Sequence, residues 1–232
     1  MSLATVRARI EAACARSGRD PSEVRLVAVS KGRSPEEIDR ALLRHGVRDL
    51  GENRVQAWRD KAVELPTDVR WHFVGNLQRN KVKYLADGGV TWVHSLNSLR
   101  LARALSAQGE RVDHRFTALI EVDVAREAAK QGAPAGEVPD LLEACRDLPN
   151  LTVVGLMAMA PFRDDPETVR PVFRELVALA DRLQLPERSI GMSRDLEVAI
   201  EEGATIVRVG TALFEPDARD AAASPPAATE EA

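Results

Sequence analysis

Lysine is scarce in this chain. Only five occur among 32 basic residues: Lys31, Lys61, Lys81, Lys83 and Lys130. Any chemistry that needs a primary amine therefore has few places to reside. Cysteine is scarcer still. Cys14 and Cys145 each sit in an apolar helix-like pattern, "EAACARS" and "LLEACRD". That placement reads as small buried side chains and excludes a disulfide framework. No His/Cys/Asp cluster has metal-ligand spacing, so no metal site is expected. There is no basic excess either. The formal net charge of -4 argues against a nucleic-acid partner. No apolar run approaches the roughly 18 residues that would cross a membrane. The opening "MSLATVRARIEAACARSGRD" lacks the apolar core of a secretory signal, so the expected location is the cytoplasm. G-x-G-x-x-G after the first strand, the P-loop and the G-x-S-x-G elbow are all missing, which removes three common enzyme plans.

What the chain does contain is alternation. Its hydrophobic content of 44% and charged content of 29% are ordinary for a globular protein. The first segment, Ser2–Ser17, sets Leu3, Val6, Ile10 and Ala13 at helical spacing and ends at Gly18. Then come eight short apolar runs that read as strands: Arg25–Ser30, Val47–Gly51, Val69–Val74, Thr91–His94, Arg115–Val122, Leu151–Met157, Arg188–Gly191 and Ile206–Val209. Helical patterns separate them, among them one opened by Ser34-Pro35 as cap and first residue. Repeated strand–helix units imply a parallel sheet under helices, and eight units in this length predict a closed barrel. The expected fold is α/β: a single (β/α)8 TIM-type barrel with an extra N-terminal helix over residues 1–215. Residues 216–232, with adjacent prolines, several acids and no bulky apolar side chain, read as a disordered tail.

Function in such a barrel sits at the C-terminal ends of the strands. Lys31 directly follows the apolar run "LVAVS". An ammonium there projects into the barrel mouth, where partial desolvation lowers its pKa and frees an amine for Schiff-base formation; the alternative is a lysine that reaches to solvent. Met192 and Ser193 in "GMSRD", with Gly210 and Thr211 in "VRVGTALF", put small residues and hydroxyls at the ends of the last two strands. That is a common phosphate position in barrels, although Ser193 could also cap the following helix. Arg208 interrupts an apolar strand and is costly there without a partner. It either points inward to an acceptor or alternates outward to a helix carboxylate. Asn53 either caps the next helix or offers its amide to a ligand. His72, between Trp71 and Phe73, reads as a packed histidine when taken alone.

Taken together, "LVAVSKGRS", "LGENRVQ", "WHFVGNLQRNK", "VHSLNS", "GLMAMAP", "GMSRDLEVAI" and "GATIVRVGTALF" resemble the pyridoxal-phosphate homeostasis protein family. That family looks like the N-terminal barrel of alanine racemase standing alone. The resemblance runs from about Leu26 to Phe214 and implies a barrel that binds pyridoxal 5′-phosphate (PLP). It implies PLP held as a Schiff base on Lys31, a phosphate held by Ser193, Gly210 and Thr211, and Arg208 facing the pyridine nitrogen. Asn53 would lie near the ring, with His72 and Met192 among the cofactor contacts. The chain departs from the family pattern at Arg33, where a second lysine is usual, at Asp123 in place of an asparagine, and at Phe214-Glu215 in place of "FG".

The expected role is PLP homeostasis: storing and delivering the cofactor, masking its aldehyde, and meeting apo PLP-dependent enzymes transiently, as a monomer. Racemization in the alanine racemase fold resembles two-base chemistry with a tyrosine from a second domain. The single tyrosine here, Tyr84, lies in a helical stretch. A buried arginine opposite the ring nitrogen also weakens the electron sink that carbanion chemistry needs. Two alternatives stand beside this reading: a weak PLP-dependent racemase or lyase, and a non-PLP protein for another phosphorylated metabolite. Lys130, in the loop after the fifth strand, is a candidate for assisting cofactor exchange.

Overall fold

A computed structural model describes residues 1–124 and 132–214. Lys130 and the expected tail, 216–232, lie outside the described residues. The chain opens with helix α1 (Leu3–Ser17). Ser2 starts it by accepting from the Thr5 amide, and Gly18, in the left-handed region at φ 67°, ends it. Strands and helices then alternate. They are β1 (Arg25–Val29), α2 (Pro35–Ala41), β2 (Asp49–Glu52), α3 (Val55–Ala62), β3 (Arg70–Phe73), α4 (Val82–Asp87), β4 (Trp92–Leu96) and α5 (Leu99–Val112). After them come β5 (Phe116–Asp123), the two-residue β6 (Ala133–Pro134), α6 (Val138–Cys145), β7 (Leu151–Met157), α7 (Arg170–Arg182), β8 (Glu187–Ser189), α8 (Leu196–Glu201) and β9 (Ile206–Val209).

Every named strand pairing is parallel. The order β4-β3-β2-β1-β9-β8-β7-β5 is closed by β4 pairing with β5, which makes an eight-stranded barrel; β6 only adds to the end of β5. The expected barrel with a preceding helix is therefore what the chain forms. Differences are confined to boundaries. Gln78 supplies no side-chain cap, and a single 3₁₀ turn, Arg79–Lys81, precedes α4. α2 carries the full reciprocal cap, with Ser34 accepting from the Glu37 amide and Glu37 accepting from the Ser34 amide.

Strand alternation splits the core in two. Leu26 and Ala28 face the helices and join the large outer core with Leu50, Phe73, Val93, Val207 and Val209. Val27 faces the barrel interior with Leu119, Met157 and Ile206. This inner apolar cluster is small because most other inward positions are polar. Gly51 also faces in: a Cβ there would lie 3.1 Å from Val27 and 3.3 Å from Val29. α1 packs along α8 through two ion pairs, Arg9–Glu197 at 2.5 Å and Arg16–Glu201 at 2.7 Å. Among the described residues no helix is long and apolar enough to cross a membrane.

Candidate functional site

Lys31 follows the last residue of β1 by two positions. Arg25, stacked over Trp92, and Val27 face the barrel interior, so the alternation places Lys31 on the inward set. Its side chain is exposed, whereas the sequence reading expected partial desolvation. A buried pair fixes the backbone beside it. Lys61, reaching in from α3, donates to the Ser30 carbonyl at 2.6 Å and to the Glu52 carboxylate. The Ser30 hydroxyl donates to the same carboxylate at 3.0 Å. The ends of β1 and β2 are thereby clamped together. Neither Glu52 nor Lys61 is more than a tenth exposed.

The ends of β8 and β9 form a cup. Gly191 sits at φ 91°, and a Cβ there would fall 2.6 Å from the Ala199 Cβ, so only glycine lets the loop lie on α8. The amides of Ser193, Arg194, Gly210 and Thr211 have no hydrogen-bond acceptor among the described residues. Such an array of free N–H groups is suited to an anion. The Met192 amide is taken by Asp195 Oδ1 at 2.6 Å, which orders the turn and removes that donor from the cup. Ser193 does not cap α8; Asp195 occupies that position. Arg9 of α1 donates to the Ser193 carbonyl at 2.9 Å, so the extra helix braces this loop. A Cβ on Gly210 would stand 3.6 Å from the Val29 carbonyl, which sets the cup against the strand that leads to Lys31.

Arg208 points inward, as does Ile206, which settles the two orientations left open by the sequence. It donates to the Ser189 carbonyl and hydroxyl, both at 2.6 Å, and to the Ala158 carbonyl at 3.0 Å. Burial pulls its pKa down to about 10, against the attraction of Asp195 and Glu121. It stays a cation at neutral pH. In return, burial pushes the carboxyls of Asp195 and Glu121 upward, each opposed in part by Arg208.

From Ser189 a hydrogen-bonded chain continues through the barrel. Ser189 Oγ lies 2.9 Å from His94 Nδ1, His94 Nε2 lies 3.0 Å from His72 Nδ1, and His72 Nε2 lies 3.0 Å from Asp49 Oδ1. Arg70 closes the outer end with two bonds to Asp49, at 3.0 and 2.6 Å. Burial alone would raise the Asp49 carboxyl, but the His72 and Arg70 hydrogen bonds hold it well below the usual carboxylate range. Burial pushes both histidines down, His94 strongly, so both are neutral. Asp49 can only accept. His72 must then carry its proton on Nε2 and accept on Nδ1. His94 must donate from Nε2 and accept on Nδ1, and the Ser189 hydroxyl must donate to it. Every hydrogen in the chain therefore points from Arg208 toward Asp49.

The structure thus brings Lys31, Arg208, Gly210, Thr211 and Ser193 to one end of the barrel. His72 is not among them: both its ring nitrogens are committed within the interior, and its ring stacks on Trp92 at 5.2 Å. Asn53 does not cap α3, whose first flanking residue is Arg54 with no side-chain bond. Instead Asn53 Oδ1 is buried without a partner among the described residues, and so is Asp123 Oδ1 at the end of β5. A buried acceptor without a donor is costly, so both atoms mark places where a ligand group fits.

The model of the alanine racemase N-terminal domain matches residues 1–217. A pyridoxal phosphate homeostasis protein from Aquifex aeolicus is 45% identical over 219 residues, covering 91% of this chain and 95% of its own. One from Pseudomonas aeruginosa is 41% identical, covering 92% and 93%. The chain belongs to the pyridoxal phosphate homeostasis protein family. Among solved structures, PipY of Synechococcus elongatus with PLP bound superimposes with a TM-score of 0.73 at 32% identity, covering 90% of this chain and all of that one. An alanine racemase from Clostridium difficile has a TM-score of 0.67 at 13% identity, which is a likeness of fold.

Where the family pattern has a second lysine, Arg33 lies 3.2 Å from Glu37 and over the Phe214 ring. Glu215 lies outside the described residues. Glu52 and His94 stand at strand ends, where function is expected; the residues that the sequence did not single out are Asp49, Lys61, Glu121, Ser189 and Asp195. Asp49, Glu121 and Ser189 carried a signal as polar residues within strands, whereas Lys61 on α3 and Asp195 at the start of α8 carried none. Only a known barrel closure says that such positions from β2, β3, β4, β8 and β9 meet.

Proposed function

We propose that this chain binds PLP covalently through the Lys31 amine and serves intracellular PLP homeostasis, holding the cofactor and releasing it to apo PLP-dependent enzymes. The observation that carries this reading is the placement of three different groups at one barrel end. Lys31 follows β1; Arg208 lies in β9, which pairs directly with β1, and the Gly210–Thr211 amides follow β9. The amides of Ser193, Arg194, Gly210 and Thr211 would take the phosphate. Arg208 would face the pyridine nitrogen, and Asn53 Oδ1 would accept from a ring substituent. The relatives' names and the PLP-bound PipY structure support the same assignment.

PLP, when bound, supplies an aldehyde for amines and an electron-accepting ring. The chain's own residues limit the second property. Arg208 is held in place by three bonds and remains cationic, so the group it faces must accept a hydrogen bond. A ring nitrogen in that position is kept without a proton, and the ring is a weaker electron sink. Tyr84, the one tyrosine of the chain, is on α4 with Arg59, Lys81 and Lys83 around its ring. Masking and release are thus favoured over carbanion chemistry. This role places the protein in the cytoplasm as a monomer that meets its recipients transiently.

The test is chemical. The protein incubated with PLP is reduced with borohydride and digested. The expected product is one phosphopyridoxyl group on Lys31, lost in Lys31→Ala. Transfer is then followed as activity regained by an apo-enzyme mixed with loaded protein. A protein that stays unmodified after PLP incubation would overturn the reading.

A further inference from the structure

A second pocket, of about 450 Å³, lies next to the candidate cofactor site and shares Asn53 with it. Otherwise it belongs to α3, the loop after β3, and α4. Its lining mixes the apolar Val55 and Phe73 with Arg54, Gln56, Arg59, Asn76, Gln78 and Lys81, and no carboxylate lines it. Arg59, Lys81 and Lys83 surround the Tyr84 ring, at 5.0, 5.6 and 4.9 Å from its centre. Among the described residues none of these cations has an ion-pair partner. The nearby acids are turned elsewhere: Asp60 accepts from Gln56 at 2.7 Å, and Asp87 pairs with Arg111. α3 adds its uncapped first turn, with Arg54 as N-cap offering no side-chain bond. Cations gathered without counter-charge repel one another, and the free N–H groups of a helix start favour negative charge. Asn53, whose buried Oδ1 has no partner among the described residues, lines this pocket as well.

We propose that this pocket is a second binding site for a phosphate monoester, a waiting position for phosphorylated pyridoxal compounds beside the barrel mouth. The inference rests on the reading of the barrel end as a PLP site. Its volume falls within the range of small-molecule sites, and its carboxamides can hydrogen-bond a ring's polar substituents. A staging site of this kind lets the phosphate change hands before it leaves the protein, so that release need not pass through bulk water.

The experiment uses full-length protein whose barrel site has been filled with PLP and reduced, so that Lys31 is occupied permanently. Pyridoxamine 5′-phosphate, which has no aldehyde, is titrated in and followed by calorimetry and phosphorus NMR. The expected result is one saturable equivalent per chain, weakened by added salt and displaced by inorganic phosphate, with unphosphorylated pyridoxine not binding. The double variant Arg59→Ser, Lys81→Gln should lose at least tenfold in affinity while Lys31 labelling by PLP and borohydride is unchanged. No saturable binding to the filled protein, or equal binding to the double variant, would overturn the proposal. So would binding of a polyglutamate peptide in place of the phosphate ester, which would make this face a protein-docking surface. Failure of Lys31 to label at the outset is a different result. It strikes the barrel-end reading, and the second pocket is then tested on unloaded protein with inorganic phosphate, where absence of binding overturns it too.

Discussion

Asp49 and Arg208 stand at the two ends of one hydrogen-bonded chain that crosses the barrel interior through His72, His94 and Ser189. The anion at one end fixes which nitrogen of each histidine carries its proton. The fixed serine hydroxyl in turn leaves its lone pairs for Arg208. The order of the chain has a consequence for acid stability. Both histidines are held neutral, below their ordinary pKa, by burial. An unfolded chain takes up protons on these rings below about pH 6.5, and the folded chain does not. Their contribution is fully present above that pH and is lost as the pH falls, with a slope up to about 1.4 kcal/mol per pH unit for each histidine. Glu121 and Asp195 act in the opposite sense, because their raised pKa values favour the fold at lower pH. His72→Gln separates the two effects, since glutamine can donate to Asp49 and accept from His94 but cannot titrate. Urea unfolding between pH 5 and 7 should give a shallower pH slope for this variant. An identical slope would remove His72 from the account.

The Lys61–Glu52 pair predicts a specific pattern of loss and recovery. Both groups are buried, and both reach the Ser30 region next to Lys31. Removing one partner of a buried pair leaves an uncompensated charge and costs about 3–5 kcal/mol. Lys61→Met should therefore unfold at markedly lower denaturant. Lys61→Met with Glu52→Gln should recover much of that loss, because no charge is then stranded. Both variants should label more slowly at Lys31, since the ends of β1 and β2 are no longer tied. Equal stability of the single and double variants would show that the charge is not what matters.

How much of this was legible follows from particular positions. Alternating β-branched runs and helix starts such as Ser34-Pro35 were enough to give the barrel, because local pattern dictates each unit. Lys31, Ser193, Gly210 and Thr211 were legible as strand-end residues of small or reactive type. Asn53 was readable only as a choice between a cap and a ligand contact, and the start of α3 at Val55 decided against the cap. Arg208 was readable as a costly residue, yet its direction depended on Ile206 joining Val27, Leu119 and Met157 inside. His72 and His94 are 22 residues apart on neighbouring strands, and His94 and Ser189 are 95 apart. Partnerships over such separations leave no mark in a single sequence.

Gly191 ties the fold to the cup. At φ 91° any other residue is strained, and a methyl group would press against Ala199 of α8. Gly191→Ala should cost about 1–3 kcal/mol of stability. It should also displace the Ser193 and Arg194 amides, which follow directly in the same loop. PLP binding should weaken at least tenfold, measured by equilibrium dialysis, while reaction of Lys31 with unphosphorylated pyridoxal is affected much less. Equal weakening for both aldehydes would mean that the cup does not read the phosphate.

Arg208 decides what a bound ring can do. Its guanidinium has only donors to offer, and three of them are fixed on Ser189 and Ala158. Arg208→Gln keeps a donor but adds an acceptor and removes the charge, so a ring nitrogen in that place can hold a proton. Glu121 and Asp195 also lose the cation that offsets their burial, and both carboxyls should move further upward. Protein loaded with PLP labelled with ¹⁵N at the ring should give a ring-nitrogen NMR signal of the unprotonated type in the unaltered chain. In Arg208→Gln the signal should shift toward the protonated type near neutral pH. Deuterium exchange at Cα of added L-alanine should rise in parallel, as the ring becomes a better electron sink. Arg208→Lys separates charge from shape: it retains the cation, and the nitrogen should stay unprotonated. If the ring signal were the same in all three proteins, Arg208 would not face the pyridine nitrogen, and the orientation assigned to PLP in this barrel would have to be abandoned.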